Sequence, residues 1–488
     1  MYNSILRFHE NGIENIENMG ADFFENPKDI ASLVDGIKEE VLGLGCRIIG
    51  DIFEEMNEMI CNSSLRREGY EVVRHDTKTL LTSMGEIRFS KTLFKNKKTG
   101  ERCYLLDEIL GIAKNARLTE DAEAEVLKEA VQTSYGRAAA AVSITDHISK
   151  GAVKNKIHAL KFPEIEKEFR EKKQVKFLYI DADEDHVPLQ YIEQPGDIIR
   201  FPSGRKNNNV LSKLIYVYEG VESVAPQSSR FRLVNPHYFS GVYEGEDSKI
   251  IWEKVYEYID GKYDLDQVEQ IYLNADGGGW IKSGKSKIGG ITTVLDEHHI
   301  NQHLIRMTSH LGEQGEDVRE HLKSMMRRGT KSDFNQVVEE IMICTVEESA
   351  QKRVMKSAGY FLSNWSAARI RLRKPNGIVG SSTEGHVSHV LASRMSSRPM
   401  GWSKTGVDRM SRLRAYWWNG GDMLELVRYQ RESIEKAVGM EEIFSSEDMR
   451  MWEKEHHVKD GRYFDKLQSS PAAQVRKILA IRERIYNI

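Results

Sequence analysis

The stretch Val175-Lys176-Phe177-Leu178-Tyr179-Ile180-Asp181-Ala182-Asp183 decides the fold, because it is an apolar run that leads directly into carboxylates. A short apolar run with aromatic and β-branched residues predicts a buried β-strand. Side chains alternate along a strand, so Asp181 and Asp183 share one face, and the pattern alone does not choose between them. The run therefore predicts a strand that brings at least one acid to its end.

Four more runs downstream of this strand predict the rest of a sheet. They are Val210 to Val221, Phe231 to Tyr243, Ile271 to Asp276 and Ile291 to Leu295, with a helix over residues 247–260 after the second of them. The order β-β-β-α-β-(α)-β suits a mixed sheet with an antiparallel half and a parallel half, and hence a fold of the mixed α+β and α/β class. Asp276 ends the fourth strand as Asp183 ends the first, and ligands gather beside strand ends in such sheets.

Carboxylates that meet at one sheet edge from distant parts of the chain are the ligands that Mg²⁺ prefers. Two such ions, roughly 3.5–4 Å apart, neutralise the attacking and leaving oxygens in many enzymes that cut or join nucleic acids. Taken singly, Asp183 or Asp276 is more typical of a solvated acid at the end of a strand than of a metal ligand. Taken together, the two acids make a metal site as good an interpretation as the structural one.

A competing motif follows Asp276 directly. Residues 279–286, GWIKSGKS, match the phosphate-loop pattern G-x-x-x-x-G-K-[ST], in which Lys285 and Ser286 would serve a nucleotide hydrolase. A phosphate loop must lead into a helix whose N-terminus binds the phosphates. Here Gly289, Gly290 and the strand at Ile291 leave no room for that helix. A nucleotide hydrolase is therefore kept as the weaker alternative.

The sequence before the sheet predicts three regions. Residues 1–70 are helical, with an apolar stripe over 28–60 that suits a core or another subunit. Residues 71–117 alternate between apolar and polar as a small β-meander does. Residues 118–170 return to a helical pattern and end in a charged stretch.

Two short helices within residues 133–160 suit a helix-turn-helix, because Ser149 is a good N-cap for a second helix that is basic. Lys150, Lys154 and Lys156 lie on the faces of that helix away from its apolar side, where they would bind DNA. A plain helical hairpin with a solvated lysine face explains the same pattern equally well.

Composition limits the possible functions. The 488 residues are 40% hydrophobic and 30% charged, which suits a soluble protein of two to four domains. We expect a cytoplasmic protein without a membrane partner, because no secretion signal or long apolar run occurs and the four cysteines are widely spaced. The net charge is -4, so any contact with nucleic acid must come from local basic patches.

Several motifs together give the chain a family resemblance. They are YIDADEDHV over residues 179–187, NADGGGWI over 274–281, LDEHH over 295–299, STEGHVSH over 382–389 and SSRPMGWS over 396–403. With these motifs the chain resembles the ISLre group of bacterial insertion-sequence transposases and, more distantly, the Mutator-like DDE transposases. The resemblance covers essentially the whole chain.

The resemblance implies an enzyme that cuts and transfers DNA strands with two Mg²⁺ or Mn²⁺ ions. It assigns the catalytic, metal-binding triad to Asp183, Asp276 and Glu384, with Asp181 as an alternative first acid. The D-x-x-H signature of Mutator-like enzymes falls on Asp296 and His299, which would also be catalytic. From the residues alone, Glu384 is an ordinary first-turn glutamate favoured by the helix dipole.

The resemblance also implies a ribonuclease-H-like catalytic core over residues 171–296 and 371–400, with an all-helical insertion over 297–370. A helical, basic and aromatic region follows over 401–488. Basic residues beyond Glu384, among them Arg394, Arg398, Lys404 and Arg414, suit contacts to DNA. The expected partners are double-stranded DNA at the element's ends and at the target, and further copies of the chain, on the bacterial nucleoid. A third hypothesis is a domesticated relative that binds DNA without cutting it.

Overall fold

The structure is a computed structural model that describes residues 2–143, 147–164, 171–228, 230–380, 382–398, 400–432, 444–452 and 454. The turn between the two short helices predicted within residues 133–160 includes residues 144–146, which lie outside the described residues. Much of the charged stretch before the first predicted strand lies outside them as well. The chain divides into two compact units. The first contains Met1–Ala130, Ser134–Val153 and Met423–Ile488, and the second contains Val131–Thr133 and Lys154–Asp422.

The first unit combines helices with a three-stranded antiparallel sheet, at the place where the alternating pattern predicted a small meander. The elements up to the second unit are α1 (Asn3–Arg7), α2 (Ile13–Glu25), α3 (Ile30–Asn62), α4 (Ser64–Gly69), β1 (Tyr70–Leu81), β2 (Glu86–Asn96), β3 (Arg102–Cys103), α5 (Leu105–Ile109), α6 (Glu120–Gln132), α7 (Tyr135–Ala140) and α8 (Lys150–Ala159). Helix α3 packs against β2 so closely that a Cβ on Gly50 would lie 2.9 Å from the carbonyl oxygen of Arg88. Glycine at this position therefore allows the helix to approach the sheet.

The second unit is built on a five-stranded mixed sheet, as the order of apolar runs predicted. Its elements up to the fifth strand are β4 (Phe177–Pro188), β5 (Asn209–Tyr218), β6 (Gly220–Ser223), β7 (Phe231–Val234), β8 (His237–Gly241), α9 (Ser248–Lys262), β9 (Gln270–Ala275), α10 (Gly279–Lys282) and β10 (Ile291–Leu295). The strand order is β10-β9-β4-β5-β8. Strand β4 is central, with β9 and β10 parallel to it and β5 antiparallel to both β4 and β8.

Three strands differ from their predicted limits. Strand β4 continues past Asp183 to Pro188, so the prediction that it ends in its acids was wrong. The runs 210–221 and 231–243 each break in two, because Gly220 has φ +153° and Asn235 has φ +49°. Both are positive φ angles, which L-residues rarely adopt, and the chain leaves the main sheet at Gly220, the first residue of β6, and turns at Asn235 between β7 and β8. The detached segments, β6 and β7, pair with each other as a separate two-stranded sheet.

Every described element from residue 297 to 373 is helical, as predicted. The helices from here to the end of the assigned elements are α11 (Glu297–Thr308), α12 (Gly315–Arg328), α13 (Lys331–Cys344), α14 (Glu348–Ser363), α15 (Trp365–Arg373), α16 (Thr383–Val387), α17 (Ser393–Met395), α18 (Lys404–Trp418) and, in the first unit, α19 (Met423–Glu432). Helices α11 to α15 enclose a core of their own that includes Leu304, Met326, Phe334 and Phe361. None of the described helices has the length and hydropathy to cross a bilayer.

Candidate functional site

Three neighbouring parallel strands of the second unit reach the same level of the sheet. Ala275 of β9 is paired with Ala182 of β4 on one side and with Leu295 of β10 on the other. The residue that follows on each strand is an aspartate, namely Asp183, Asp276 and Asp296. The parallel register therefore places in one row three acids that are far apart in the sequence.

Asp183 lies inside β4, opposite Leu214 of β5, at the point where the pairing of β4 with β9 stops. Its carboxylate accepts a hydrogen bond from the backbone N–H of Glu184 at 2.8 Å. Burial raises the pKa of Asp183 to about 7, and the negative charge of Asp276 adds to this rise. A cation beside this carboxyl group would favour its ionised form.

The turn that carries Asp276 is fixed from several sides. The Asp276 carboxylate accepts a hydrogen bond from the N–H of Gly278 at 2.7 Å, and its carbonyl accepts one from the hydroxyl of Tyr360 at 2.6 Å. Gly277 has φ +92°, and a Cβ there would lie 2.8 Å from the side chain of Asn364. The glycine and the end of α14 together hold Asp276 beside β4.

Asp296 holds His299, which is one turn further along the chain. Asp296 occupies the N-cap position of α11, but its carboxylate makes no capping hydrogen bond and instead accepts one from Nδ1 of His299 at 3.0 Å. This bond raises the pKa of His299, and the charges of Asp296, Asp183 and Asp276 raise it further, while burial opposes them. The two residues of the D-x-x-H motif are thus in direct contact, and His299 lies within the electrostatic influence of Asp183 and Asp276.

Glu384 lies in the first turn of α16 and is turned toward α11. Its Oε2 is 2.9 Å from Nε2 of His298, and the Glu384 side chain is 66% exposed. The structure thus brings Asp183, Asp276, Asp296 and His299 together and places Glu384 against the neighbouring histidine. Across the part of the chain that the structure describes, no three His, Cys, Asp or Glu side chains are arranged as a ready-made metal site.

Asp181, the alternative first acid, is completely buried. Its carboxylate accepts hydrogen bonds from Tyr216 and Asn274 at 2.7 and 2.6 Å, and from Tyr218 and Thr383, each at 3.1 Å. Burial raises the pKa of Asp181, and these hydrogen bonds oppose the rise. Because Thr383 opens α16, Asp181 ties the helix that carries Glu384 to the sheet.

The sequence interpretation missed Arg371, which is 2% exposed in α15. Its guanidinium donates hydrogen bonds to the carbonyl of Leu295 at 3.0 Å, the carbonyl of Val379 at 2.6 Å and Oδ1 of Asn274 at 2.6 Å. Arg371 therefore fixes the residue before Asp296 and the residue that binds Asp181. The arginine lies 76 or more residues from both strand partners, and the sequence contains no signal of this pairing.

The match to a phosphate loop does not form a phosphate site. Residues 279–286 fold as the four-residue α10 followed by a 3₁₀ turn, Ser283–Ser286, and β10 begins at Ile291. Gly284 is needed for packing, because a Cβ there would lie 2.7 Å from the indole ring of Trp252. No helix of useful length presents its N-terminus to a ligand here, which removes the structural basis for a P-loop hydrolase.

The residues predicted to bind DNA differ in exposure. Lys150 and Lys154 are exposed on α8, Lys156 is half-buried there, and Arg398 is exposed before α18. Lys404 forms an ion pair with Glu244 at 2.6 Å, which opposes its predicted role as a DNA contact.

Two further arginines of this basic and aromatic region, which we had also interpreted as DNA contacts, are buried. Arg394 is 3% exposed and lies over the Trp402 ring, and Arg414 is 5% exposed and donates to backbone carbonyls, among them that of Val131 at 2.5 Å. The interpretation was wrong for these two, because guanidinium groups buried against an aromatic ring or against backbone carbonyls are not exposed to DNA.

Acids and a histidine gathered where parallel strands end define this molecule as a mixed α/β protein with an acidic candidate site. The chain belongs to the uncharacterised protein family UPF0236, whose family model matches residues 24–432.

Relatives of the same family occur in Caldanaerobacter subterraneus subsp. tengcongensis. Two of these UPF0236 proteins are 32% identical over 430 residues, covering 88% of this chain and 86% of each relative. A third is 32% identical over 424 residues, covering 87% of this chain and 86% of the relative. Among solved structures, the Drosophila P element transposase strand transfer complex aligns with 76% of this chain and 91% of its own, at 11% identity and a TM-score of 0.21, a level that does not define a shared fold.

Proposed function

We propose that this protein is a DDE-type transposase, which cuts DNA at the ends of an insertion sequence and joins those ends to target DNA. The observation that carries the proposal is the row of Asp183, Asp276 and Asp296 on three adjacent parallel strands, with His299 held beside it. A row of acids at a sheet edge suits chemistry in which divalent cations neutralise the charge of transferring phosphates. The substrate class is therefore double-stranded DNA, at the element's ends and at its target.

The fold supports the same function. A central first strand, two antiparallel strands on one side and two parallel strands on the other agree with the ribonuclease-H-like core that the resemblance implies. In that core the first acid lies on the first strand, the second after the fourth strand, and the third on a later helix. Asp183 within β4, Asp276 after β9 and Glu384 on α16 are consistent with that order, and α11 to α15 follow β10, where the resemblance implies an all-helical insertion.

The family supports a mobile element. The name of one relative joins eleven gene designations of a single bacterium, and that of another joins four. An element that copies or moves itself leaves many near-identical genes in one genome. A single-copy enzyme of metabolism has no comparable reason to occur in that number.

The carboxylates present fit a divalent metal. Asp183 and Asp276 would hold it, since Mg²⁺ prefers carboxylate oxygens and since the charge of Asp276 disfavours the ionised form of Asp183 unless a cation is present. Glu384 would complete the ligand set after leaving His298, its partner in this structure. When bound, the two ions supply charge neutralisation at the attacking and leaving oxygens of the DNA strand.

The chain's own residues position the DNA strand. Nδ1 of His299 is taken by Asp296, so Nε2 is the ring nitrogen left for the substrate. In the protonated imidazole, which the raised pKa of His299 favours, Nε2 donates to a phosphate oxygen. Asp296 is a positioning residue, because it fixes the orientation of the imidazole. Asp181 binds Thr383 and so positions α16, the helix that carries Glu384. Arg371 binds the carbonyl of Leu295 and so positions the end of β10, which Asp296 follows.

The test is a strand-cleavage assay on DNA fragments that carry the sequences flanking this gene, with Mg²⁺, Mn²⁺ or a chelator. We expect metal-dependent cleavage by the unmodified chain. Asp183→Asn, Asp276→Asn and Glu384→Gln should each lower cleavage by at least about a hundredfold while leaving DNA binding intact. The matched control is Asp266→Asn, at an exposed acid in the loop before β9, which should cleave normally.

Normal cleavage by Glu384→Gln would remove Glu384 from the active site while leaving the aspartates in it. Binding of the flanking DNA without any cleavage under all metal conditions would instead identify a domesticated DNA-binding protein.

A further inference from the structure

Helix α3 of the first unit carries two apolar faces on opposite sides. One face includes Cys46, Gly50 and Ile60, which are buried where α3 packs on the three-stranded sheet. The other face is a line of six apolar side chains, here called the α3 stripe: Ile30, Val34, Ile37, Val41, Leu44 and Ile48. At 100° per residue, the stripe points about 160° away from the buried face. A helix that only covered the sheet would need the first face alone.

The α3 stripe is open to solvent along much of its length. Ile30, Val34 and Val41 are 60%, 55% and 49% exposed, and the other three members are half-buried. Helix α2 packs on a different side of α3, where the sulfur of Met19 would lie 2.9 Å from a Cβ on Gly36. Neither the sheet nor α2 therefore covers the stripe, and a contiguous exposed apolar surface of this kind marks an interaction site.

The spacing within the stripe specifies the kind of partner. Successive members are 4, 3, 4, 3 and 4 residues apart, which is the a/d spacing of a heptad repeat. The stripe runs for 18 residues, or about 27 Å of helix. Such a surface fits the regular ridges of another helix, with knobs entering holes, and offers no pocket for a small molecule.

We propose that the α3 stripe is the docking surface for α3 of a second copy of this chain. Val34, Val41 and Ile48 take one of the two core positions, and Ile30, Ile37 and Leu44 take the other, so the stripe is complementary to itself. A two-fold pair buries the same patch on both copies and leaves none of it exposed. The flanks of the stripe carry Lys38, Glu40 and Arg47, which form the charged rim that such an interface requires.

Helix α2 also carries exposed apolar side chains. Phe24 is 82% exposed and Ile13 is 37% exposed, and both belong to the helix that packs alongside α3. This inference does not depend on the proposed chemistry, since the first unit contains none of the acids of the candidate site.

The experiment is sedimentation of the full-length chain without DNA, over a range of concentrations. We expect a dimer whose dissociation constant rises at least about a hundredfold in Val34→Glu/Val41→Glu, because association would bury two carboxylates from each copy. The matched control is Glu39→Lys, which changes an exposed charge on the opposite side of α3 and should leave the dimer intact. At concentrations where both proteins are monomeric, the melting temperature of the double variant should stay close to that of the unmodified chain, because Val34 and Val41 are exposed within one copy.

A monomer at all concentrations for the unmodified chain overturns the proposal, and so does a dimer that survives Val34→Glu/Val41→Glu. The proposal is also overturned if the chain dimerises through the stripe only after deletion of residues 455–488, because the C-terminal segment of the same copy would then be the occupant of the stripe.

In a second measurement, Val34→Cys/Leu44→Cys should form an intermolecular disulfide at protein concentrations where the Glu39→Cys variant does not. Equal cross-linking of the two variants would contradict the assignment of the α3 stripe as the face that meets the second copy.

Discussion

Asp181 and Asp183 lie two residues apart on one face of β4 and yet have different environments. Asp181 is 0% exposed and its carboxylate is surrounded by four hydrogen-bond donors, so it has no position left for a metal or a substrate. Asp183 accepts one backbone hydrogen bond and lies beside Asp276. At the scale of single residues, burial thus separates a carboxylate that holds the fold from one that is available for chemistry, which periodicity could not do.

The role of His299 can be measured separately from its contribution to folding. Replacing it in His299→Ala should lower DNA cleavage by at least about tenfold, or roughly 1.4 kcal/mol in the barrier, because a donor to the substrate phosphate is lost. Asp296→Asn should act in the same direction through loss of the imidazole's partner. The assay pairs the cleavage rate with the melting temperature, and the control is His321→Ala at an exposed histidine of α12.

A large drop in the melting temperature of His299→Ala, with normal cleavage by its folded fraction, would make this histidine structural.

At the scale of elements, α15 fixes the acidic edge through a single side chain. Arg371 binds two backbone carbonyls and Asn274, and Asn274 in turn donates to Asp181, so one buried network joins β10, β9, β4 and α16. Burial lowers the pKa of Arg371, and the nearby acids, Asp181 first among them, raise it again. The helices between residues 297 and 373 are therefore joined to the candidate site by the Arg371 network as well as by the covalent chain at either end.

Arg371→Met tests this link. It leaves three buried acceptors without a donor and should lower the free energy of unfolding by at least about 3 kcal/mol. The matched control is Arg373→Met in the same helix, where an exposed arginine makes one hydrogen bond to the carbonyl of Arg327 and should contribute about 1 kcal/mol or less. Urea denaturation followed by circular dichroism measures both.

Equal stability of these two methionine variants would show that the Arg371 network does not hold the elements together.

The elements of the sheet could be predicted where the signal is local. Each apolar run of β4, β9 and β10 leads into its acid, so the strands and the aspartates that follow the apolar runs are visible in the sequence, although β4 itself continues past Asp183. The breaks at Gly220 and Asn235 were missed, because a single residue with positive φ interrupts a run without changing its apolar pattern. Arg371 was missed because its three partners are fixed only by the tertiary fold.

At the scale of the whole molecule, the net charge of -4 means that contact with DNA must be local. The exposed Lys150 and Lys154 on α8 remain the predicted contacts, whereas Lys404 is neutralised by Glu244. Lys150→Gln and Lys154→Gln should each reduce the salt slope of DNA binding by about one, because each removes one phosphate contact. Lys404→Gln should leave the slope unchanged, and fluorescence anisotropy at several salt concentrations measures all three.

An unchanged slope in both α8 variants would assign α8 to a plain helical hairpin, the alternative that the sequence left open.

Stability should also depend on pH through two imidazoles that the fold keeps neutral. Burial, with the charge of Lys262, lowers the pKa of His237 to about 4, and burial, with Arg306 as the first of the nearby charges, lowers the pKa of His303 to about 4. His237 stacks on Tyr258 with ring centroids 4.1 Å apart, and His303 stacks on Tyr360 at 3.8 Å. Both rings are thus packed as neutral aromatic groups.

The unfolded chain protonates these imidazoles below about pH 6.5, whereas the folded chain does so only near pH 4, so protons bind the unfolded state first. Their contribution to stability is therefore complete above pH 6.5 and is lost as the pH falls toward 4. Lowering the pH from 7 to 5 should destabilise the unmodified chain relative to His237→Phe/His303→Phe by up to about 4 kcal/mol of unfolding free energy, roughly 2 kcal/mol for each histidine. Urea denaturation of both proteins at the two pH values measures it, and the carboxyl groups that titrate in the same range cancel in the difference. A difference that stays constant with pH would show that these two histidines titrate alike in the folded and unfolded chain, and that their stacking does not depend on the neutral form.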